Sequence, residues 1–572
     1  MEGGGGGGDR EGAQSPRKHG GWITFPFIIG SFGCTSLASG GWLTNLVVYL
    51  IQEYNVKNID ATLISNVVSG CFSVFPVVGA VIADSFLGSF SVVAISTSIS
   101  LLGMISLTLT STIQSLRPQP CDHNNAIIPC SSSPSKLQYS ILYLSLILAA
   151  LGAGGSRYTT ATLGANQHDN LKDQNIFFNW FFVTLYGAFL VSSTAIVYIQ
   201  DNISWGWGFG ISLASNAIGL AIFLLGTRFY RLDKPRGSPF TTLARVLVAA
   251  SRKRLTTPLS TTAGNDDGYY YGEEHHVGKV VVDGVLTKSF RCLNRAALIT
   301  EGDVHLDGSI AKPWRLCKVK EVEDFKTLLR IFPLWSTSIF LSVPIVMQGS
   351  LTILQALTMD RHLGPSFKIP AGSFIVVVFI STTVFLAIID RFLYPIWQKL
   401  VGRLPRPLQR VGLGHVFNFG GMMVSALVES KRLKVAHAHA HHLDGQPEAI
   451  VPMSALWLFP QLVLVGIGEA FHFPGQVGLY YQEFPTSLRS TATAMISLVI
   501  AISYYLGTAL IDLLHKVTKW LPDDINQGRL DNVYWLVSVI GVINFGYYLV
   551  CATWYKYQNV EIVVEDDSIT ED

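Results

Sequence analysis

The stretch Leu456-Trp-Leu-Phe-Pro-Gln-Leu-Val-Leu-Val-Gly-Ile-Gly-Glu469-Ala-Phe-His-Phe-Pro-Gly-Gln-Val-Gly-Leu-Tyr-Tyr481 sets a carboxylate inside an apolar run long enough to cross a bilayer as a helix. An ionisable side chain at that depth costs several kcal/mol unless it is paired or hydrated, so it faces a bundle interior or an aqueous cavity. A second run, Leu137 to Thr162, carries the opposite charge in Gly-Ala-Gly-Gly-Ser-Arg157-Tyr, which makes Arg157 the expected partner of Glu469. Opposite charges in two separate spans point to a path for a solute.

The whole chain has the composition such spans require. Of its 572 residues, 49% are hydrophobic and 14% charged, against about 25% charged in a soluble domain. The mean hydropathy is +0.38. Fifty-two glycines suit a bundle in which small residues let helix backbones approach closely. A net charge of +2 gives no reason to expect nucleic acid as a partner. Met1 to Gly20 is Gly-rich and polar, and reads as a disordered cytosolic tail rather than a secretory signal.

Apolar stretches fall near 23–51, 61–83, 90–113, 137–160, 177–200 and 209–230, then near 331–357, 371–396, 411–429, 453–481, 491–515 and 533–556. Six plus six, with a polar gap rich in Lys and Arg, predicts an all-α membrane protein of the major facilitator fold: twelve transmembrane helices in two six-helix bundles joined by a long cytosolic loop. The segments are a tail over 1–20, an N-terminal bundle over 21–230, a cytosolic linker over 231–328, a C-terminal bundle over 329–557 and an acidic cytosolic tail over 558–572. The basic linker, with Arg252, Lys253 and Arg254, places both termini in the cytosol. Lys399, Arg403, Arg406 and Arg410 agree, while Lys431, Arg432 and Lys434 fall on the outer side as an exception. Within the linker, 239–251 reads as an amphipathic helix on the inner membrane face, and Tyr269 to Tyr271 as unstructured.

Seven cysteines without C-x-x-C spacing exclude a zinc or redox motif. Cys121 and Cys130 share one outer loop, where they form a disulfide or stay free thiols. His437, His439, His441 and His442 read as a variable loop rather than a metal site, since no carboxylate or cysteine accompanies them. No nucleophile–base set appears, so neither an enzyme nor a cofactor is expected; Asp512 and His515, three residues apart, read as an interfacial pair. Arg157 in span four and Glu469 in span ten hold equivalent places in their halves. A buried pair is weak evidence for stability and better suited to a switch.

Several motifs together resemble the plant nitrate/peptide transporter family, the plant branch of the proton-coupled oligopeptide transporters. They are Ala-Asp84-Ser-Phe-Leu-Gly88, Phe177-Phe178-Asn179-Trp180, Tyr198-Ile-Gln-Asp201-Asn202, Asn294-Arg295-Ala296-Ala297, Trp314-Arg315-Leu316-Cys317, Met359-Asp360-Arg361, Gly466-Ile-Gly-Glu469 and Arg489-Ser-Thr-Ala-Thr-Ala494. The departures say more. The family's first span carries E-x-x-E-R or E-x-x-E-K, the carboxylates tied to proton coupling. Here those positions are Phe32, Thr35 and Ser36, and none can ionise. The family's span-four lysine is Arg157, a residue type that is not deprotonated in proteins. The histidine implicated in nitrate binding in one dual-affinity member aligns with Ile345, and that member's phosphorylated threonine with Val92.

These departures, with Gly21-Trp22-Ile-Thr-Phe-Pro, Phe332-Pro-Leu-Trp335 and Gln348-Gly-Ser-Leu-Thr-Ile-Leu-Gln355, resemble the nitrate excretion subgroup. The resemblance implies a multi-pass plasma-membrane carrier, with the vacuolar membrane as alternative, releasing nitrate or chloride without proton coupling. Arg157, Glu469 and Gln348 are then the expected substrate-binding and gating residues, and a small anion and the lipid bilayer the expected partners. A bulkier solute such as a glycosylated metabolite is the second reading, and a non-transporting sensor or partner protein the third.

Overall fold

A bilayer core offers backbone N–H and C=O groups no partner, so apolar runs of this length satisfy themselves as helices. The structure, a computed structural model, describes residues 20–119, 134–232, 239–254, 268–271, 287, 289–305, 308–403, 405–440, 450–483 and 489–555. Among them, twelve helices are long and apolar enough to cross a membrane. Spans one to six are Gly21–Leu43, Asn58–Leu87, Ser89–Thr112, Lys136–Ala165, Ile176–Asn202 and Trp205–Arg228. Spans seven to twelve are Val319–Leu357, Ala371–Val401, Pro407–Ala438, Ala455–Tyr480, Met495–Val517 and Leu530–Trp554.

The packing repeats with a period of six spans. In the first half, span one packs on five and six, two on four, and three on four and six. In the second half, seven packs on eleven and twelve, eight on ten, and nine on ten and twelve. Across the middle, span two meets eleven and five meets eight. The same pairings thus recur in each set of six spans.

Glycines set the closest crossings. A Cβ on Gly152 would lie 2.1 Å from the Ser100 nitrogen, and one on Gly154 2.7 Å from the Phe72 carbonyl oxygen. Span four can thus press its backbone against spans three and two at once, which fixes where Arg157, less than a turn later, emerges.

The halves are tied at the end opposite the linker. Lys57 pairs with Asp523 at 2.8 Å, and Arg361 with Asp201 at 3.8 Å, the latter two each about one-tenth exposed. Asn45 of the same half steadies Asp201 by donating to it and to Gln200, while across the interface Ser373 donates to the Ser193 carbonyl at 2.6 Å. Deeper in, Asn66 donates to Ser350 at 3.4 Å.

The linker departs from expectation in two ways. Its helix spans Pro239–Arg254 and turns Val246, Ala249 and Ala250 onto Leu293, Ala296, Ala297, Cys317 and Val322, so its apolar face is covered by protein rather than by lipid. Tyr269 to Tyr271 is structured: Tyr269 bridges to Leu298, and the Tyr270 backbone bonds Ala297 and Val319 at 2.9 and 3.0 Å. A buried Lys253–Asp303 ion pair at 3.0 Å pins the helix end. Burial opposes the Asp303 charge, but the Thr300 hydroxyl and Lys253 outweigh it and hold the carboxyl below the usual carboxylate range.

Spans seven and nine run further than the apolar runs suggested, starting at Val319 and ending at Ala438. Lys431, Arg432 and Lys434 are therefore helical residues, not an outer loop. Asp512 and His515 do not pair with each other: Asp512 binds Lys516 at 2.9 Å and His515 the Leu521 carbonyl at 2.6 Å. Cys121, Cys130, His441 and His442 lie outside the described residues, as do residues 1–19 of the expected N-terminal tail and all of the expected C-terminal tail.

Candidate functional site

Arg157 lines a small cavity of about 10 Å³ within the first half. Span one supplies Phe32, Thr35, Ser36 and Ser39, span two Phe72, span four Ala153 and Ser156, and span five Leu185 and Phe189. The three positions where the coupled relatives carry charge are thus wall residues around the guanidinium, and none is acidic. Thr35 donates back to the Ser31 and Phe32 carbonyls at 3.1 Å, Ser39 to Thr35 at 2.7 Å, and Ser156 to Ala153 at 3.2 Å. Those hydroxyl protons are committed to the helix backbone, so Arg157 is the cavity's strong donor. Phe32 stacks on Phe181 at 3.9 Å and fills with aromatic carbon the place a carboxylate would take.

No carboxylate lies within 4 Å of Arg157 among the described residues, and its buried Nε has no hydrogen-bond partner. The expected direct pair with Glu469 is not formed. Aromatic rings surround the guanidinium instead, with Phe72, Tyr158 and Phe189 centroids at 5.5, 5.6 and 5.8 Å. Such contacts return about 0.5–2 kcal/mol each, and none of them neutralises the charge. A guanidinium held this way is short of an anion.

Glu469 lies across the interface on span ten. It accepts one long hydrogen bond, 3.4 Å from the Thr382 hydroxyl, which also reaches the Gly466 carbonyl at 3.2 Å. Both charges act on the Tyr186 and Tyr504 hydroxyls, one from each half. Arg157 and Glu469 therefore share a neighbourhood without touching.

Gln348 does not join them. It is buried and donates to Ser425 at 2.8 Å, inside the second half. Ile345 packs against the main core, and Val92 is buried, so the position of the affinity-switch threonine is not at the surface.

Sequence reading missed the polar core of the second half. Arg432, fully buried, forks onto Glu429 at 2.6 and 2.8 Å and donates to Thr358 and Asn526. Gln355 donates to the same carboxylate at 2.6 Å and accepts from Tyr534 at 3.0 Å. The i, i+3 spacing of Glu429 and Arg432 was a usable signal, hidden because the apolar run seemed to end at 429. Asp201 and Arg361 each stood in a quoted motif, but nothing local in the chain links them. Among the described residues, no three His, Cys, Asp or Glu side chains group as metal ligands.

Comparison with known proteins agrees with this architecture. The model of the POT family matches residues 90–528. Protein NRT1/ PTR FAMILY 2.7 of Arabidopsis thaliana is 53% identical over 549 residues, covering 96% of this chain and 95% of its own. Protein NRT1/ PTR FAMILY 2.6 from the same plant is 52% identical over 548 residues, covering 96% and 95%. Among solved structures, an auto-inhibited POT family peptide transporter matches with a TM-score of 0.67 at 17% identity, covering 94% of this chain and 98% of that one. The POT family transporter PepTSo matches at 0.64 and 16%, covering 94% and 99%. At such identity the structures speak for the fold alone, and that fold is the major facilitator fold. Relatives and structural neighbours are transporters, not enzymes. The chain belongs to the POT family, as a membrane transporter of its NRT1/PTR group.

Proposed function

We propose that this transporter releases nitrate, or a monovalent anion of similar size such as chloride, from plant cells across the plasma membrane, passively and without coupling to protons. The observation that carries the reading is Arg157: a guanidinium without a counter-ion among the described residues, in a cavity whose wall positions Phe32, Thr35 and Ser36 hold no acid. A planar fork of donors suits a planar oxyanion better than a point charge does. In this reading Glu469 competes with the anion for Arg157 as the halves rearrange, and both termini and the 231–328 linker face the cytosol.

The direction of transport follows from physics. With no protonatable carboxylate in the first span, nothing there drives an anion uphill. With the cytosol negative, a departing monovalent anion gains about 2.3 kcal/mol per 100 mV.

Flux of nitrate, chloride and one glycoside from reconstituted vesicles at clamped voltage tests the assignment. Arg157→Ala abolishes nitrate flux while the protein stays folded and inserted; Arg157→Lys keeps part of it, because charge remains and the fork is lost. Undiminished nitrate flux in Arg157→Ala would refute the site.

A further inference from the structure

Spans nine and ten cross closely enough to bring together polar side chains that do not line the Arg157 cavity. A Cβ on Gly414 would lie 2.5 Å from the His472 Cβ, and one on Gly468 2.4 Å from the Asn418 Oδ1. Two glycines facing each other thus seat Asn418 and His472 in the seam. His415, one residue after Gly414, stacks on Tyr548 of span twelve with ring centroids 4.6 Å apart. Gln476 follows His472 by one helical turn.

All four side chains are at least 97% buried: His415 and His472 are 2% exposed, Asn418 1% and Gln476 3%. Six of their polar atoms find no hydrogen-bond partner in the protein: His415 Nε2, both ring nitrogens of His472, both amide atoms of Asn418, and Gln476 Nε2. Unlike exposed groups, these cannot turn to bulk solvent, and lipid offers no partner. Each unmet group costs about 1–3 kcal/mol by mutational measures. A cluster of this size does not persist dry.

The set is mixed in character. Carboxamides and imidazoles offer both donors and acceptors, and none carries a fixed charge. An anion would want donors alone, a cation acceptors alone. We propose that His415, Asn418, His472 and Gln476 form a buried hydration site that holds ordered water between spans nine and ten. A buried water makes about three hydrogen bonds, so six unmet atoms call for at least two molecules. This site lies wholly within the second half and is independent of the substrate reading for Arg157.

Radiolytic hydroxyl-radical footprinting of the full-length protein in lipid nanodiscs tests this, because radicals formed in bound water oxidise the side chains touching it. The expected result is oxidation of His415 and His472 at least tenfold faster than at Tyr534, which is equally buried but hydrogen-bonded to protein. The paired variant Asn418→Leu with Gln476→Met removes half of the unmet atoms and lowers His472 oxidation at least threefold. Wild-type oxidation of both histidines at the Tyr534 rate overturns the proposal without recourse to any variant. Unchanged His472 oxidation in a folded paired variant, one with wild-type elution from a sizing column, overturns it as well.

Discussion

Arg157 was legible in the sequence as a charge at membrane depth, and its meaning came from what accompanies it. The glycines ahead of it set the helix crossing, and the empty positions Phe32, Thr35 and Ser36 prove to be its cavity wall. Its distance from Glu469 was not legible, because spacing along two helices says nothing about how far apart the halves stand. Gln348's place was not legible for a related reason: an amide in a span can satisfy a neighbour such as Ser425 as readily as it lines a path. The cavity geometry makes a pointed prediction. Thr35→Glu places a carboxylate beside Arg157, supplies the missing counter-ion and shuts the anion out. Nitrate flux should fall at least tenfold, equivalent to about 1.4 kcal/mol of lost anion binding, while the melting temperature in detergent holds or rises. Wild-type flux from that variant would mean the anion binds elsewhere.

At the scale of the element, hydropathy found every span but misplaced the ends of those that bury charge. Span nine carries Glu429 and Arg432 into the protein interior, and a hydropathy window stops at such residues whether they face water or each other. The linker helix turns part of its apolar face onto Leu293 to Cys317, partners so distant in sequence that hydropathy does not link them. The Glu429–Arg432 network predicts a strong structural effect. Arg432→Ala leaves Glu429 buried without its partner and should destabilise the second half by about 3–5 kcal/mol. Thermal unfolding in detergent will show this as a large fall in Tm, whereas Lys431→Ala, which loses only a contact over the Trp457 ring, changes Tm little. Equal effects would place the stabilising charge elsewhere.

The molecule as a whole is two similar bundles latched at the end away from the linker. The repeat of packing pairs every six spans was foreshadowed by the six-plus-six pattern, but the latch was not, because its members come from loops and span ends far apart in the chain. Arg361→Ala removes the Asp201 contact and should shift the halves toward opening at that end. Spin labels at Asp60, on span two, and Lys519, just past the end of span eleven, both near the latch, should then report a longer distance population than in the wild type. An unchanged distance distribution would show that the remaining contacts hold the end closed without that pair. The central claim concerns energetics: an anion carrier stripped of first-span carboxylates runs on voltage and anion gradient alone. It is tested most directly by the reversal potential in nitrate, measured on reconstituted protein across a tenfold proton gradient with the anion gradient fixed. The account predicts a reversal potential that stays where the nitrate gradient sets it; a shift of tens of millivolts, or flux that carries no current, would contradict it.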